Sequence, residues 1–465
     1  MKHTSLTALL FLGFAMSYAQ YGPQQIISTN ANLAFRAIPH DMDNDGFMDV
    51  VSASTGDGKV AWYRNLDGQG TFGEEQIITN GALVIQGMEM ADLDSDGDMD
   101  VIYKTNLDKI AWLENLDGLG TFGSEQIIVQ TTYPYSMAVA DLDTDGDMDV
   151  LAIHYISGFD VRLVWYENLD GMGNFGPEIF VGEEMYDETH LSAFDLDADG
   201  DMDIIASYYD GPSKLVWYEN DGLGTFAAEQ EIFHFGLSSD WPSIIHLTPS
   251  DFNGDGKIDL LFDTDYDDGD DYIYWLEHLD GEGMFGEAQL IYIKETSVGS
   301  LRAYDLDGDN DQDILVSFYW NANTVAWFEN IDGQGNFGPK HNITTSVVRG
   351  TDATAADLNG DGDLDVISAS SFDFKIAWYE YLEPLDISDN NYSRVVLYPN
   401  PTQGLVTLFS DQTITKIELL NSLGQNIDLT WDTSQIDLSK LESGIYFLRL
   451  EDETGFSEIH KIIKK

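Results

Sequence analysis

The chain has 465 residues, with 83 Asp and Glu against 21 Lys and Arg, a formal net charge of −62. Such acidity excludes nucleic acid and anionic membranes as partners, while 43% apolar content and ten Trp exclude a disordered acidic chain. There is no cysteine, so a fold outside the cell needs a staple other than disulfides, and bound metal is the obvious one.

At the N-terminus, Lys2 and His3 precede an apolar run from Leu6 to Met16, and Ser17-Tyr18-Ala19 offers a small-x-small cleavage site before Gln20. The run is too short to span a bilayer, so residues 1–19 read as a signal peptide and the protein as secreted. No other segment is apolar enough for a transmembrane span.

From residue 20 a single loop pattern dominates. Acidic or amide residues stand at positions 1, 3, 5 and 9, and the pattern occurs seven times, with Gly at position 6 in six of the copies. The first four copies are Asp41, Asp43, Asp45, Asp49; Asp92, Asp94, Asp96, Asp100; Asp141, Asp143, Asp145, Asp149; and Asp195, Asp197, Asp199, Asp203. The last three are Asp251, Asn253, Asp255, Asp259; Asp305, Asp307, Asp309, Asp313; and Asp357, Asn359, Asp361, Asp365. Alternate oxygen donors on one side of a tight loop suit Ca²⁺, which takes six to eight oxygens, so up to seven sites are expected. An EF-hand is excluded, because position 12 is Ser52 or Tyr103 rather than Glu and a β-branched strand follows instead of a helix.

Successive first aspartates lie 51, 49, 54, 56, 54 and 52 residues apart. After each loop comes Trp62, Trp112, Trp165, Trp217, Trp275, Trp327 or Trp378, usually as Trp-Tyr-Glu-Asn. A glycine-rich turn, Asn-Leu-Asp-Gly-x-Gly-x-Phe-Gly, and a short strand such as Glu75-Gln76-Ile77-Ile78 complete the unit. A period near 50 with four short strands, A to D, is the signature of a β-propeller blade. The calcium loop joins A to B, and the Trp lies on C. The segment Tyr21–Ile27 is a D strand with no blade before it, and the last blade ends after C, so the N-terminal strand is expected to close the seventh blade. The fold expected is therefore all-β, a seven-bladed propeller over residues 20–382.

The repeated Trp residues read as core between blades, and Trp431 belongs to the C-terminal region. Trp241, in a D–A loop, and Trp320, in a B–C loop, break the pattern and fall on the face opposite the calcium loops. Five residues before each first aspartate stand Arg36, Gly87, Ser136, His190, His246, Ser300 and Asp352, expected to ring the channel mouth on that face. Ligand binding is expected there, at Trp241, Trp320, His190, His246, Arg36 and Asp352. The two histidines could also take a transition metal. A wet channel with no ligand is the bland alternative.

Asp-x-Asp-x-Asp-Gly-x-x-Asp with Phe-Gly resembles the FG-GAP/VCBS repeat family, the calcium-binding propeller similar to the head of integrin α chains. The departures are Asn253 and Asn359 at position 3, Asn310 at the glycine position, and Phe226-Ala227 for Phe-Gly. Asn310 makes the Asp305 loop the expected weak site. After a polar linker at 383–395, Tyr398-Pro399-Asn400-Pro401-Thr402-x-Gly404, Gly444-Ile445-Tyr446 and the ending Lys461–Lys465 resemble a type IX secretion C-terminal sorting domain over 396–465, a small β-sandwich. That resemblance implies handling by the type IX secretion machinery. No catalytic motif stands out. The expected function is a secreted or cell-surface binding and adhesion module for a glycan or protein ligand. A calcium-dependent polysaccharide lyase or other extracellular hydrolase, with Arg36, His190 and His246 as bases, is the alternative.

Overall fold

The structure, a computed structural model, describes residues 20–382 and 395–465, except internal segments at 82–83, 132, 158–159, 183–184, 187–189, 210–212, 236–242, 266–270, 295–296, 321, 411–413, 422–424, 428, 430, 432–434 and 453–456. The expected signal peptide, nearly all of the expected linker and Trp241 lie outside the described residues. The chain divides into two compact units, Met1–Leu382 and Glu383–Lys465.

Every described element of the first unit is a strand, and the strands form seven antiparallel sheets. The first sheet orders Ala34–His40, Asp49–Ser54, Lys59–Tyr63 and Gln76–Thr79 as A to D. The next five repeat that order, and the third sheet of the unit adds a two-residue strand, Met185–Tyr186, on its C strand. The seventh takes A, B and C from Gly350–Ala356, Asp365–Ser370 and Lys375–Tyr379, and its D strand from Gln25–Ser28 at the other end of the unit. The expected closure is therefore formed.

Strands B are buried along their length, as a sheet covered on both faces requires, so apolar residues run together after the opening Asp, as in Val50-Val51 and Ile314-Leu315-Val316, instead of alternating with exposed polar ones. Among the described residues, the core of this unit consists of seven clusters, each shared by two neighbouring sheets. One of them joins Ala34, Val50 and Tyr63 of the first sheet to Leu358, Ile367 and Trp378 of the seventh. The ring thus closes through the same packing that joins its other neighbours.

The repeated tryptophans are buried in these seams. All but Trp327 support the second glycine of the next sheet's C–D turn. A Cβ at Gly70, Gly120, Gly173, Gly224, Gly283 or Gly335 would collide with Trp378, Trp62, Trp112, Trp165, Trp217 or Trp275. Hydrogen bonds add to this contact. The Asn ending strand C donates to a loop carbonyl of the preceding sheet, Asn65 to Leu358 at 2.8 Å and Asn168 to Leu93 at 2.8 Å. Gly173, at φ 71°, combines the left-handed conformation with the Trp112 contact. Gly173→Ala is expected to cost about 2–3 kcal/mol, read as a lower denaturation midpoint at unchanged m-value.

The second unit pairs a sheet of Val395–Tyr398, Leu405–Ser410 and Gln435–Asp437 with one of Asn426–Ile427, Ile414–Asn421, Gly444–Asp452 and Ser457–Lys464. Val406, Leu419, Ile436, Leu448 and Ile462 form its core.

Candidate functional site

Each acidic loop is built from its own side chains. The position 1 carboxylate accepts the amides that follow it, Asp41 from Asp45 at 3.1 Å and from Gly46 at 2.8 Å. The position 9 carboxylate ties the loop to strand C. Asp49 accepts from Met42 N at 3.2 Å, from Trp62 Nε1 at 2.9 Å and from Asn65 N at 2.6 Å. The same amide pair reaches position 9 in the other six loops, for example Leu306 and Asn330 on Asp313. Position 2, from Met42 to Leu358, is buried and anchors the loop in the core.

Position 3 is different. The Oδ1 atoms of Asp43, Asp94, Asp143 and Asp307 are buried and have no hydrogen-bond partner. In five loops three carboxylate oxygens come within 4.8 Å of one another, as in Asp92, Asp94 and Asp96. Burial, and then repulsion from Asp96, Glu114 and Asp92, pushes the Asp94 carboxyl up to about 6. Burial raises Asp313 further, to about 8. Crowded oxygens without donors fit a hard cation. The loops centred on Asn253 and Asn359 are not among these carboxylate clusters, because an amide stands at position 3.

Two features of the loops escaped the sequence reading. Glu114, Glu167, Glu219 and Glu329 of Trp-x-Glu-Asn act electrostatically on the position 3 aspartates, so strand C supplies a further carboxylate to the site. The signal was the recurrence of that Glu beside the Trp. Position 4 takes the left-handed conformation in all seven loops, with φ 55° at Asn44, 58° at Ser95, 59° at Thr144 and 61° at Ala198, and glycine in the last three. Asn310 reaches φ 72° and donates to Asp305 at 3.0 Å, as the position 6 glycines do elsewhere.

On strand A a register shift precedes Arg36, Gly87, Ser136, Ser300 and Asp352, and such bulges re-aim the side chain that follows. Arg36, Gly87, Ser136, His190, His246 and Ser300 line a common cavity of 620 Å³. Asp352 and Trp320 are not among its lining residues. Asp352 is instead a buried clamp, accepting from Arg302 at 2.9 Å and from Ala37 N at 3.1 Å. Burial opposes its ionisation, but Arg302 and Arg36 hold its carboxyl below the ordinary value.

The His190 and His246 rings meet edge to face, with centroids 5.8 Å apart. His246 Nδ1 lies 2.8 Å from Asp263 Oδ1. Burial, then His246 and Arg36, pushes His190 down to about 3, so it stays neutral across the physiological range. The sequence reading missed Glu89, which pairs with Arg36 at 2.6 Å, and Lys104. Lys104 stands on strand B and reaches the channel because Gly87 has no side chain to block it. Burial, then Arg36, lowers its ammonium to about 8.

The FG-GAP-like repeat profile matches residues 41–103, 105–152, 195–262, 251–316 and 305–368. The chain belongs to the FG-GAP-like repeat family. Residues 396–465 match a secretion system C-terminal sorting domain, so this FG-GAP protein is secreted or displayed at the cell surface. No helix among the described residues is long and apolar enough to cross a membrane. Comparison with curated proteins returns no match. Among solved structures, BBS1N in complex with ARL6DN is 11% identical, with 79% of this chain and 98% of that chain covered at a TM-score of 0.50. The extracellular domain of BT4673 from B. thetaiotaomicron is 12% identical, with 95% and 59% covered and a TM-score of 0.49. An α-L-arabinofuranosidase from Fusarium graminearum is 13% identical, with 64% and 94% covered and a TM-score of 0.44. At these identities the likeness to BBS1N concerns the fold alone.

In the FG-GAP unit, Trp320 lies on a second exposed feature. The Arg349 guanidinium carbon sits 3.6 Å from the Trp320 ring centroid and 3.5 Å from that of Phe372. Tyr319 is next to it at 5.6 Å. The rings come from the B–C loops of the sixth and seventh sheets, and Arg349 comes from the D–A loop between them. In the sorting domain, Asn400 donates to Lys461 O at 2.6 Å and accepts from Ile463 N at 2.9 Å. Thr402 N donates to Ile463 O at 2.9 Å. The Pro-Asn-Pro-Thr segment therefore holds the C-terminal strand.

Proposed function

We propose that this protein is a secreted or surface-displayed, calcium-stapled propeller that serves as a binding and adhesion module. Calcium is supported by the unpartnered Oδ1 atoms of Asp94, Asp143 and Asp307 and by the carboxylate crowding around them. The recognition reading rests on one observation, the Arg349–Trp320–Phe372 stack. Trp320 is 44% and Phe372 50% exposed, on loops that depart from the repeat and are carried by a rigid scaffold. Aromatic faces suit sugar rings or apolar side chains, and a stacked guanidinium keeps its in-plane N–H groups for an acidic or hydroxyl acceptor. The ligand class is a glycan or a protein segment offering both. Trp320→Ala with Phe372→Ala, tested against hits from a glycan and surface-extract binding screen, is expected to weaken binding at least tenfold with the melting temperature nearly unchanged. Unchanged affinity in the folded double variant would move the site elsewhere.

The channel supports a second reading, a polysaccharide lyase or hydrolase. Its supporting observation is the His190–His246 pair beside Arg36 and Lys104 in the 620 Å³ cavity. Release of unsaturated or reducing ends from polysaccharide pools by calcium-loaded protein, lost in His246→Ala, is the expected result under that reading.

A further inference from the structure

The seven loops are not alike in charge. Where the strand C position beside six of them carries Glu114, Glu167, Glu219, Glu277, Glu329 or Glu380, the first carries Arg64. Its side chain turns onto the loop. Arg64 Nε lies 2.5 Å from Asp43 Oδ2, and a terminal nitrogen donates to Asp45 Oδ2 at 2.9 Å. Asp43 and Asp45 are the position 3 and position 5 members of that loop's cluster with Asp41.

We propose that Arg64 is the resident cation of the first loop, which therefore holds no calcium while the other loops remain the candidate sites. The proposal rests on the calcium reading above. A guanidinium is planar, offers its donors in a fixed fork and keeps its charge at any pH a protein tolerates, so it can satisfy two carboxylates as a permanent counterion. The charge balance follows the same direction. In the second loop Asp92, Asp94, Asp96 and Asp100 with Glu114 make five negative charges. In the first, Asp41, Asp43, Asp45 and Asp49 with Arg64 leave a net of three, from four negative and one positive. Position 7 departs as well: it is Asp98 in the second loop and Phe47 in the first. Calcium affinity is tuned by ligand charge and site rigidity, and a divalent ion entering the first loop would have to expel Arg64 or sit against it.

The Arg64 loop has a use for independence from metal. It belongs to the first sheet, which packs on the seventh at the ring seam, and Asn65, the next residue, bonds across that seam to Leu358. With Arg64 in place this loop stays ordered when calcium is scarce.

The test compares wild type, Arg64→Glu and Arg64→Ala, each dialysed to equilibrium against millimolar calcium and analysed for bound metal. Arg64→Glu is expected to hold one ion more per chain than wild type. An equal count in the two proteins, or seven ions in wild type, would overturn the assignment to Arg64. A count near zero in both would instead overturn the calcium reading itself. Hydrogen exchange supplies the second arm. In chelator, the amides of Asp45 and Gly46 are expected to stay protected in wild type and to exchange at least tenfold faster in Arg64→Ala. Equal exchange in both proteins would count against Arg64 as the resident cation.

Discussion

Excess chelator is expected to lower the melting temperature of the propeller by roughly 10 °C. Extracellular calcium modules commonly bind with dissociation constants of about 10⁻⁴–10⁻³ M. At ten times that constant each occupied loop adds roughly 1.4 kcal/mol, and six loops together add roughly 8 kcal/mol. That sum is comparable to the whole stability of an ordinary domain. The structural reason is crowding: Asp305, Asp307, Asp309 and Asp311 sit in a single loop, and Asp307 Oδ1 and Asp311 Oδ1 are buried without a donor. Without a cation the folded state must hold these groups either charged against one another or protonated. Calorimetry with and without chelator measures the effect, and superimposable melting curves would remove calcium from the account of stability.

Removing residues 20–30 is expected to be as damaging, although the segment is short. Gln25–Ser28 is the outermost strand of the seventh sheet. Around it, Gly22 N donates to Glu380 O at 2.7 Å, Leu382 N to Gln20 O at 2.8 Å, and Gln24 Nε2 to the Tyr379 hydroxyl at 2.6 Å. Tyr21 is buried with Trp327 and Tyr381. Its truncation alone, Tyr21→Ala, should cost about 3–5 kcal/mol, the usual penalty for emptying a large aromatic site. The full deletion also bares the Lys375–Tyr379 edge, a template for pairing with another chain. The deleted protein should melt lower and elute as oligomers in size exclusion. A monomer that melts like wild type would show that the strand does not hold the ring.

The repeat made much of this readable before any fold was known. Loop chemistry is local: Asp at alternate positions and Gly at a left-handed turn act within nine residues. The buried Trp at one position of every repeat, and a D strand separated from its blade, are likewise visible as pattern. Position 4 was not visible, because Asn44, Ser95, Thr144 and Ala198 share a conformation and no chemistry. The Asn310 substitution suggested a weak loop, whereas the unlike charge sits beside the first loop, on Arg64.

Sequence alone was enough for the strand order, the ring of seven loops and the closing strand, since each follows from period, turn residues and apolar runs along a short stretch of chain. Which polar groups meet was decided by the packing of sheets. Asp352 reads as a channel residue, yet it is consumed by Arg302 and by the backbone of Ala37 across the seam. Lys104 reaches the channel through the gap at Gly87, and Arg349 meets Trp320 and Phe372 from three separate loops. Such contacts join residues tens of positions apart whose distance is set by how neighbouring sheets pack, and no repeat pattern encodes that distance.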